Sequence, residues 1–330
     1  MRATGKRRGL GPRGAELISK LGPVFGLLVV FLLFAILRFS TFVTFDNVEL
    51  ILLQTAVVGT AALGSTLVII SGGIDLSVGS VIALGTVAIA LLLSHGLPPL
   101  VAAAGGMLTG ALCGLAIGLL ITRLQLSPFI VTLGMWGALR GAAKGLASDT
   151  MIQAPSTWLN SLLNTLTRHQ RWMLFPPGVW MMLLLGALVS AALRYTRAGR
   201  HLFAIGSNEQ TARLCGVPVD RTKLLIYTVA AAFAGLAGVL QFSYLTVGDP
   251  TTANGYELDA IAAVVIGGAS LAGGQGSIFG SLVGAMIMTT ISNGCTKLDL
   301  ANWVQEIVTG AIIVFAVALD RFRHRADGAS

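Results

Sequence analysis

YTRAGRHLFAIGSNEQTARLCGVPVDRTK, residues 195 to 223, is the longest polar run in the chain and lies between two strongly apolar halves. Arg197, Arg200, Arg213, Arg221 and Lys223 fall in it, with Arg194 one step upstream. Ser207 followed by Gln210 is an S-x-x-Q capping box, and Gly216 with Pro218 just beyond is a helix stop. The spacing predicts a short helix over about 208–215, held inside a basic loop. A short ordered helix in such a place is a handle for a soluble partner.

The two halves around it are those of a polytopic membrane protein. Of 330 residues, 55% are hydrophobic and only 11% charged, against about 25% charged in soluble domains; the mean hydropathy is +0.82. That leaves no room for a sizeable soluble domain. The 41 glycines suit close helix packing in lipid. The net charge of +8 does not argue for nucleic acid, because the basic residues sit in loops, where they set topology. Cys113, Cys215 and Cys295 show no paired spacing, so neither a disulfide nor a metal site is expected. The basic start, MRATGKRRGLGPRGAELISK, precedes an apolar run as a signal peptide would. No small-residue cleavage site follows, and the run is read as a first span.

About 20 apolar residues are needed to cross a bilayer. Ten spans are expected, at 22–38, 48–70, 76–93, 99–122, 128–147, 174–193, 223–247, 257–272, 277–295 and 303–320. The eighth and ninth are short and joined by GGQGS, which leaves re-entrant segments open there. The division is a basic tail over 1–21, a transmembrane body over 22–320 with the polar loop at about 194–223, and a tail over 321–330. With the N-terminus cytoplasmic, sixteen Lys and Arg fall on that side, including Arg123, those around 194–223, and Arg321, Arg323 and Arg325. Four fall outside: Arg38, Arg168, Arg171 and Lys297. The bias places both termini and the 194–223 loop in the cytoplasm.

Several stretches within the body carry polar or glycine-rich signals. SGGIDLSVGS (71–80) follows the second span; Gly72 and Gly73 break the helix, and Asp75 either caps the next one or belongs to a pathway or gate. GGASLAGG (267–274) shares the pattern G-G-x-x-L-x-x-G with residues 72–79, which hints at internal duplication. Arg140 and Lys144 lie four apart on one helix face and repel each other unless a carboxylate or water is near; the expected partners of Arg140 are Glu257 or Asp259, with snorkelling as the alternative. DPTTANGYELD (249–259) contains two turn signals, and Glu257 and Asp259 then open a span, where a helix N-terminus favours negative charge. The loop 148–173, with Pro155, Trp158 and Trp172, is expected outside as an interfacial excursion.

The absences matter too. There is no G-x-x-x-x-G-K-[ST], so no ATP is expected in this chain by a P-loop, and no H-E-x-x-H or G-x-S-x-G. Intramembrane acids are few, which gives an ion-driven relay little to work with. A pathway without its own engine is the expectation. A self-contained secondary transporter or channel is the alternative class, and a membrane enzyme lacks any catalytic constellation.

SGGIDLSVGS, LSPFIVTLG (126–134), AIGSNEQTARLCGV (204–217) and YELDAIAAVVIGGASLAGGQGS (256–277), in that order, resemble the permease subunits of bacterial monosaccharide ABC importers of the ribose, xylose and arabinose type. The resemblance covers about residues 50–320. It implies an all-α ABC importer permease fold of about ten spans in the bacterial inner membrane. It also implies a second permease chain, identical or related, a cytoplasmic pair of ATPase subunits that hold ATP and magnesium, and an external sugar-binding protein. Gly206, Asn208, Glu209, Ala212, Arg213 and Gly216 correspond to the family's ATPase-coupling segment. Asp75, Phe129, Arg140, Glu257 and Asp259 are candidates for the pathway or gate. Nucleoside importers share part of the pattern, so a nucleoside is the alternative cargo.

Overall fold

In hydrocarbon every backbone N–H and C=O must find its partner inside the protein, which leaves an apolar chain little choice but helix. The computed structural model describes residues 12–327, and among them are thirteen α-helices and one two-residue strand pair. In order they are α1 (Pro12–Leu37), α2 (Phe39–Phe42), α3 (Phe45–Ile70), α4 (Val78–Ser94), α5 (Pro99–Arg123), α6 (Pro128–Leu146) and α7 (Pro177–Tyr195). Then come α8 (Arg197–Ser207), α9 (Glu209–Leu214), α10 (Val219–Leu245), α11 (Tyr256–Ile266), α12 (Ile278–Lys297) and α13 (Asn302–Asp327). Helix α1 starts well inside the stretch read as a tail, and α13 runs on through 321–327. The expectations for residues 1–11 and 328–330 lie outside the described residues.

Nine of the ten expected spans coincide with helices of 17 residues or more. The eighth does not. Helix α11 has 11 residues, about 16 Å at 1.5 Å per residue, roughly half of the ~30 Å hydrocarbon core. The missing length is supplied by non-helical chain sunk into the bundle on either side: the turn at 249–255, where Asp249 and Ala253 are buried, and the loop 267–277. The segment 71–77 before α4 is sunk in the same way, with Asp75 and Ser77 buried. Such backbone is tolerated at depth only where protein surrounds it. Among the described residues, five helices are long and apolar enough to cross a membrane by length and composition: α3, α5, α7, α10 and α12.

Helix α3 is the axis, buried along most of its length. Gly64 lets it approach the backbone of Ala230 on α10, and hydroxyl pairs tie it to α12: Thr55 with Thr289 at 2.7 Å and Thr66 with Ser281 at 2.8 Å. Against α10 packs α5, whose Gly106, Gly110, Gly114 and Gly118 repeat every fourth residue. A methyl at Gly110 would meet Gly235 at 2.8 Å, and one at Gly114 would meet Thr228 at 2.9 Å. Without a hydrophobic drive between helices in lipid, contact of this closeness is what holds them together.

The two ends of the bundle differ. At one end Arg38 pairs with Asp299 at 3.1 Å, Leu166 N–H donates to Glu49 Oε1 at 2.6 Å, and the strands β1 (Ile152–Gln153) and β2 (Val247–Gly248) pair antiparallel. The loop 148–173 is anchored there by the buried Leu159 and Leu163, while Trp158 and Trp172 stay exposed. The opposite end carries α8 and α9.

Candidate functional site

The polar run folds as two helices rather than one. Thr196 caps α8, its hydroxyl accepting from Gly199 N–H at 3.2 Å, and α8 turns its apolar side, Leu202 and Ile205, into the bundle. The expected capping box is corrected: Ser207 is the last residue of α8, and Asn208 caps α9 by accepting from Thr211 N–H at 2.8 Å. The stop is where the sequence placed it. Gly216 has φ +81°, and the backbone closes with Val217 N–H to Ala212 O at 3.0 Å, a Schellman ending. Ala212 is buried against Ile205 and Val219, which seats α9 on α8 and α10.

The charges on α9 meet partners within the chain. Glu209 accepts from Lys223 Nζ at 2.6 Å, and Arg213 donates to Asp220 at 2.8 Å. The Asp220 carboxylate holds the Arg213 guanidinium above its ordinary pKa. Glu209 and Arg213, both in the expected coupling segment, are each half exposed and clamp α9 to the start of α10. Leu214, 88% exposed at the tip of α9, was not singled out in the sequence, although a leucine one residue before a helix stop in a polar loop is an unusual side chain to offer water.

Gly206 lies at the centre of a junction. Gly274 N–H donates to Ile70 O at 2.8 Å, joining the loop after α11 to the end of α3. Gly206 packs directly against this bond: a Cβ there would collide with Ile70 O and stand 2.5 Å from Gly274 N. Gly273 in turn lies against Gly206 O and the backbone of Gly72. The two glycine-rich stretches noted in the sequence thus meet each other, with the end of α8 between them. Their correspondence shifts by one residue. Gly72 (φ +82°) and Gly268 (φ +93°) are the matching left-handed positions after α3 and α11, each followed by the same pair of closing bonds.

From this junction one face of α6 runs toward the other end of the bundle. Thr132 Oγ1 donates to Ile74 O at 3.2 Å and Ser80 Oγ to Trp136 O at 2.7 Å. A turn later Arg140 donates to Pro250 O at 3.1 Å and Thr252 O at 2.6 Å. The expected direct ion pair is corrected: the hydrogen-bond partners of Arg140 are carbonyls of the sunk turn, and Glu257 acts on it only through space. Both acids are in the first turn of α11, as expected, with Glu257 buried against Gly79. Asp75 is not the cap of α4. Its Oδ1 accepts from Ser77 N–H at 2.8 Å and Ser77 Oγ at 2.6 Å, and Ser77 holds the N-cap position. Phe129, at the foot of α6, is exposed. On the other side of α6, Gly134, Gly137, Gly141 and Gly145 face open space.

Residues 47–317 match the family described as the branched-chain amino acid transport system permease component. The chain is 38% identical over 279 residues to the ribose import permease protein of Escherichia coli strain K12, covering 84% of this chain and 87% of that protein. It is 38% identical over 304 residues to the ribose import permease protein of Bacillus subtilis strain 168, covering 92% and 93%. It is 35% identical over 304 residues to the fructose import permease protein of Rhizobium meliloti, covering 91% and 84%. No solved structure matches it. With a match that spans most of its length, the chain belongs to the family of branched-chain amino acid transport system permease components.

Proposed function

We propose that the chain is the membrane permease subunit of an ABC importer for a monosaccharide of the ribose, fructose or allose kind. The sugar is delivered by an external binding protein and moved by ATP hydrolysis on a separate cytoplasmic ATPase, where ATP and magnesium are held. The observation that carries this reading is the capped α8–α9 pair, whose end is wedged between the loops after α3 and α11. A push on α9 from a soluble partner is delivered at once to two loops that enter the bundle. Relatives named for ribose, fructose and allose import support the cargo.

In this reading α8, α9 and both termini are cytoplasmic, and Leu214 and the outer side of α9 meet the ATPase. The open face of α6 is covered by a second permease copy, with Phe129, Arg140, Asp75, Glu257 and Asp259 at or behind the path between copies. Uptake of D-ribose, D-fructose and D-allose by cells carrying the whole importer tests the cargo, with L-leucine and a nucleoside as competitors. Competition by leucine or the nucleoside, and not by the sugars, would replace it. Co-purification of an ATPase from native membranes, lost on Glu209→Lys, tests the mechanism; purification of a transport-competent chain alone would favour a secondary transporter.

A further inference from the structure

Helix α7 presents one stripe to the bilayer. Trp180, Leu184, Leu188, Ala191 and Tyr195 recur at steps of three and four residues and are all exposed, whereas Gly178, Met182 and Gly186 are buried on the other side. The stripe ends at Tyr195, 72% exposed, with the Arg194 guanidinium 5.5 Å from its ring centroid. An apolar ring with a polar tip beside a cation suits the level of the lipid headgroups. There the chain turns into α8. Thr196 Oγ1 donates to Ala192 O at 2.7 Å, and a Cβ on Gly199 would collide with Leu193 O, so α8 starts directly against the last turn of α7.

Three cations gather at this corner. Arg197 and Arg200 lie one turn apart on the side of α8 opposite the buried Gly199, Leu202 and Ile205, and Arg194 precedes them, all three exposed. Among the described residues none of the three pairs with a carboxylate, because the acids nearby in the chain are engaged: Glu209 with Lys223 and Asp220 with Arg213. Like charges one turn apart repel, and a helix start disfavours cations. The corner lacks an anion, and the surface that borders it is the bilayer. A basic face meant for water alone needs neither an exposed tyrosine nor the leucine stripe that leads to it. Guanidinium forks match phosphate oxygens; in a zwitterionic headgroup the ammonium accompanies the phosphate and opposes the arginines, so a net anionic headgroup fits.

We propose that the α7–α8 corner binds the headgroup of an anionic phospholipid in the leaflet it borders, through Arg194, Arg197 and Arg200. Held there, the start of α8 is a fixed point, and a push on α9 becomes movement of the far end of α8, where Gly206 meets the two loops. Headgroup binding does not depend on the cargo; its effect on ATP hydrolysis rests on the import reading above.

The complete importer reconstituted in vesicles provides the test. Cys215, the exposed native cysteine, is replaced by serine, and Ala191→Cys carries a bimane label one turn before Tyr195. The vesicles hold equal parts of phosphatidylcholine and phosphatidylglycerol, with bromine on the acyl chains of one or the other to quench the label. Each arginine beside an anionic headgroup contributes about fivefold at low salt, so the preference for phosphatidylglycerol should reach roughly 100-fold and fall about fivefold with each of Arg194→Gln, Arg197→Gln and Arg200→Gln. Lysine at all three positions should keep most of it, and free phosphate should not compete. Equal quenching by the two lipids, displacement by free phosphate, or a preference indifferent to the glutamine substitutions overturns the site; loss of the ATPase from the triple glutamine variant with its lipid preference intact assigns the arginines to the ATPase instead. Sugar-stimulated ATP hydrolysis should fall severalfold in phosphatidylcholine alone, and in the triple glutamine variant it should be low in both lipids. Stimulation equal in both lipids for the native arginines overturns the fixed point and leaves the headgroup site. Absence of stimulation by any sugar in either lipid overturns the import reading, and the fixed point with it, but not the headgroup site.

Discussion

Replacing Gly206 by alanine puts a methyl group into the hydrogen bond that joins the loop after α11 to the end of α3. The added Cβ would stand 2.5 Å from Gly274 N and 2.9 Å from Ile70 C, whereas carbon atoms rest at about 3.5–4.0 Å from their neighbours. All of these neighbours are backbone, so no side chain can swing aside. Overpacking of this kind costs about 1–3 kcal/mol, and parting Gly274 N–H from Ile70 O adds about 1 kcal/mol or more for a bond lost in a buried place. The docked position of α8 should therefore weaken by about 2–4 kcal/mol, which at 1.4 kcal/mol per decade lowers its population roughly 30- to 700-fold against an undocked one. Gly216→Ala is the comparison. Gly216 has φ +81° with open space around its Cα, so alanine there meets only the left-handed penalty of about 1–2 kcal/mol and should act more mildly. The assay is the reconstituted importer, with sugar-stimulated ATP hydrolysis and uptake measured together and insertion checked by yield. Gly206→Ala should insert, bind its ATPase and lose most stimulated hydrolysis and uptake. Normal uptake and stimulation in Gly206→Ala would refute the idea that the junction transmits the stroke.

Arg140→Ala leaves Pro250 O and Thr252 O without their donor, at about 1–3 kcal/mol for each that stays dry; it should lower uptake and the melting temperature, and exchanging the residues at 140 and 257 should rescue neither, because the partners are carbonyls. Glu209→Lys sets three positive charges together around α9 and removes the Lys223 clamp; it should reduce stimulated ATPase and uptake in parallel, whereas Asp220→Asn breaks an exposed, solvent-screened pair and should leave half or more of both. Cysteines introduced at Gly5 and Ser330 should resist an impermeant reagent in intact cells while one at Gln170 reacts; labelling at 5 or 330 would overturn the even number of crossings.

Most of the fold was legible along the chain, because lipid makes span and helix nearly the same thing. An apolar run of 17 or more residues between charged loops has one solution, and α1, α3 to α7, α10, α12 and α13 lie where it was expected. The left-handed stop at Gly216 was legible for a similarly local reason, since the residues that close a Schellman ending are neighbours in sequence. Helix α8 was hidden because arginines at 197 and 200 and His201 make its outer face read as loop, although Thr196 and the three-residue spacing of Leu202 and Ile205 mark it.

What the sequence could not decide depends on partners far away along the chain. Whether 257–272 crosses as a helix turns on whether neighbours can satisfy the backbone of 249–255 and 267–277, and only packing against α4, α6 and α12 answers that. Arg140 shows the same limit. A buried guanidinium needs acceptors, but carboxylates are visible in a sequence and carbonyls are not, since every residue has one; the turn at 250–252 supplies them only once it is folded inward. The glycine-rich stretches at 72–79 and 267–274 were legible as helix breaks and as a repeated pattern, while their meeting was not. That Gly206 lies between them, bringing the handle to both loops at one point, is a fact of three dimensions, fixed by the absence of a Cβ on every chain that meets there.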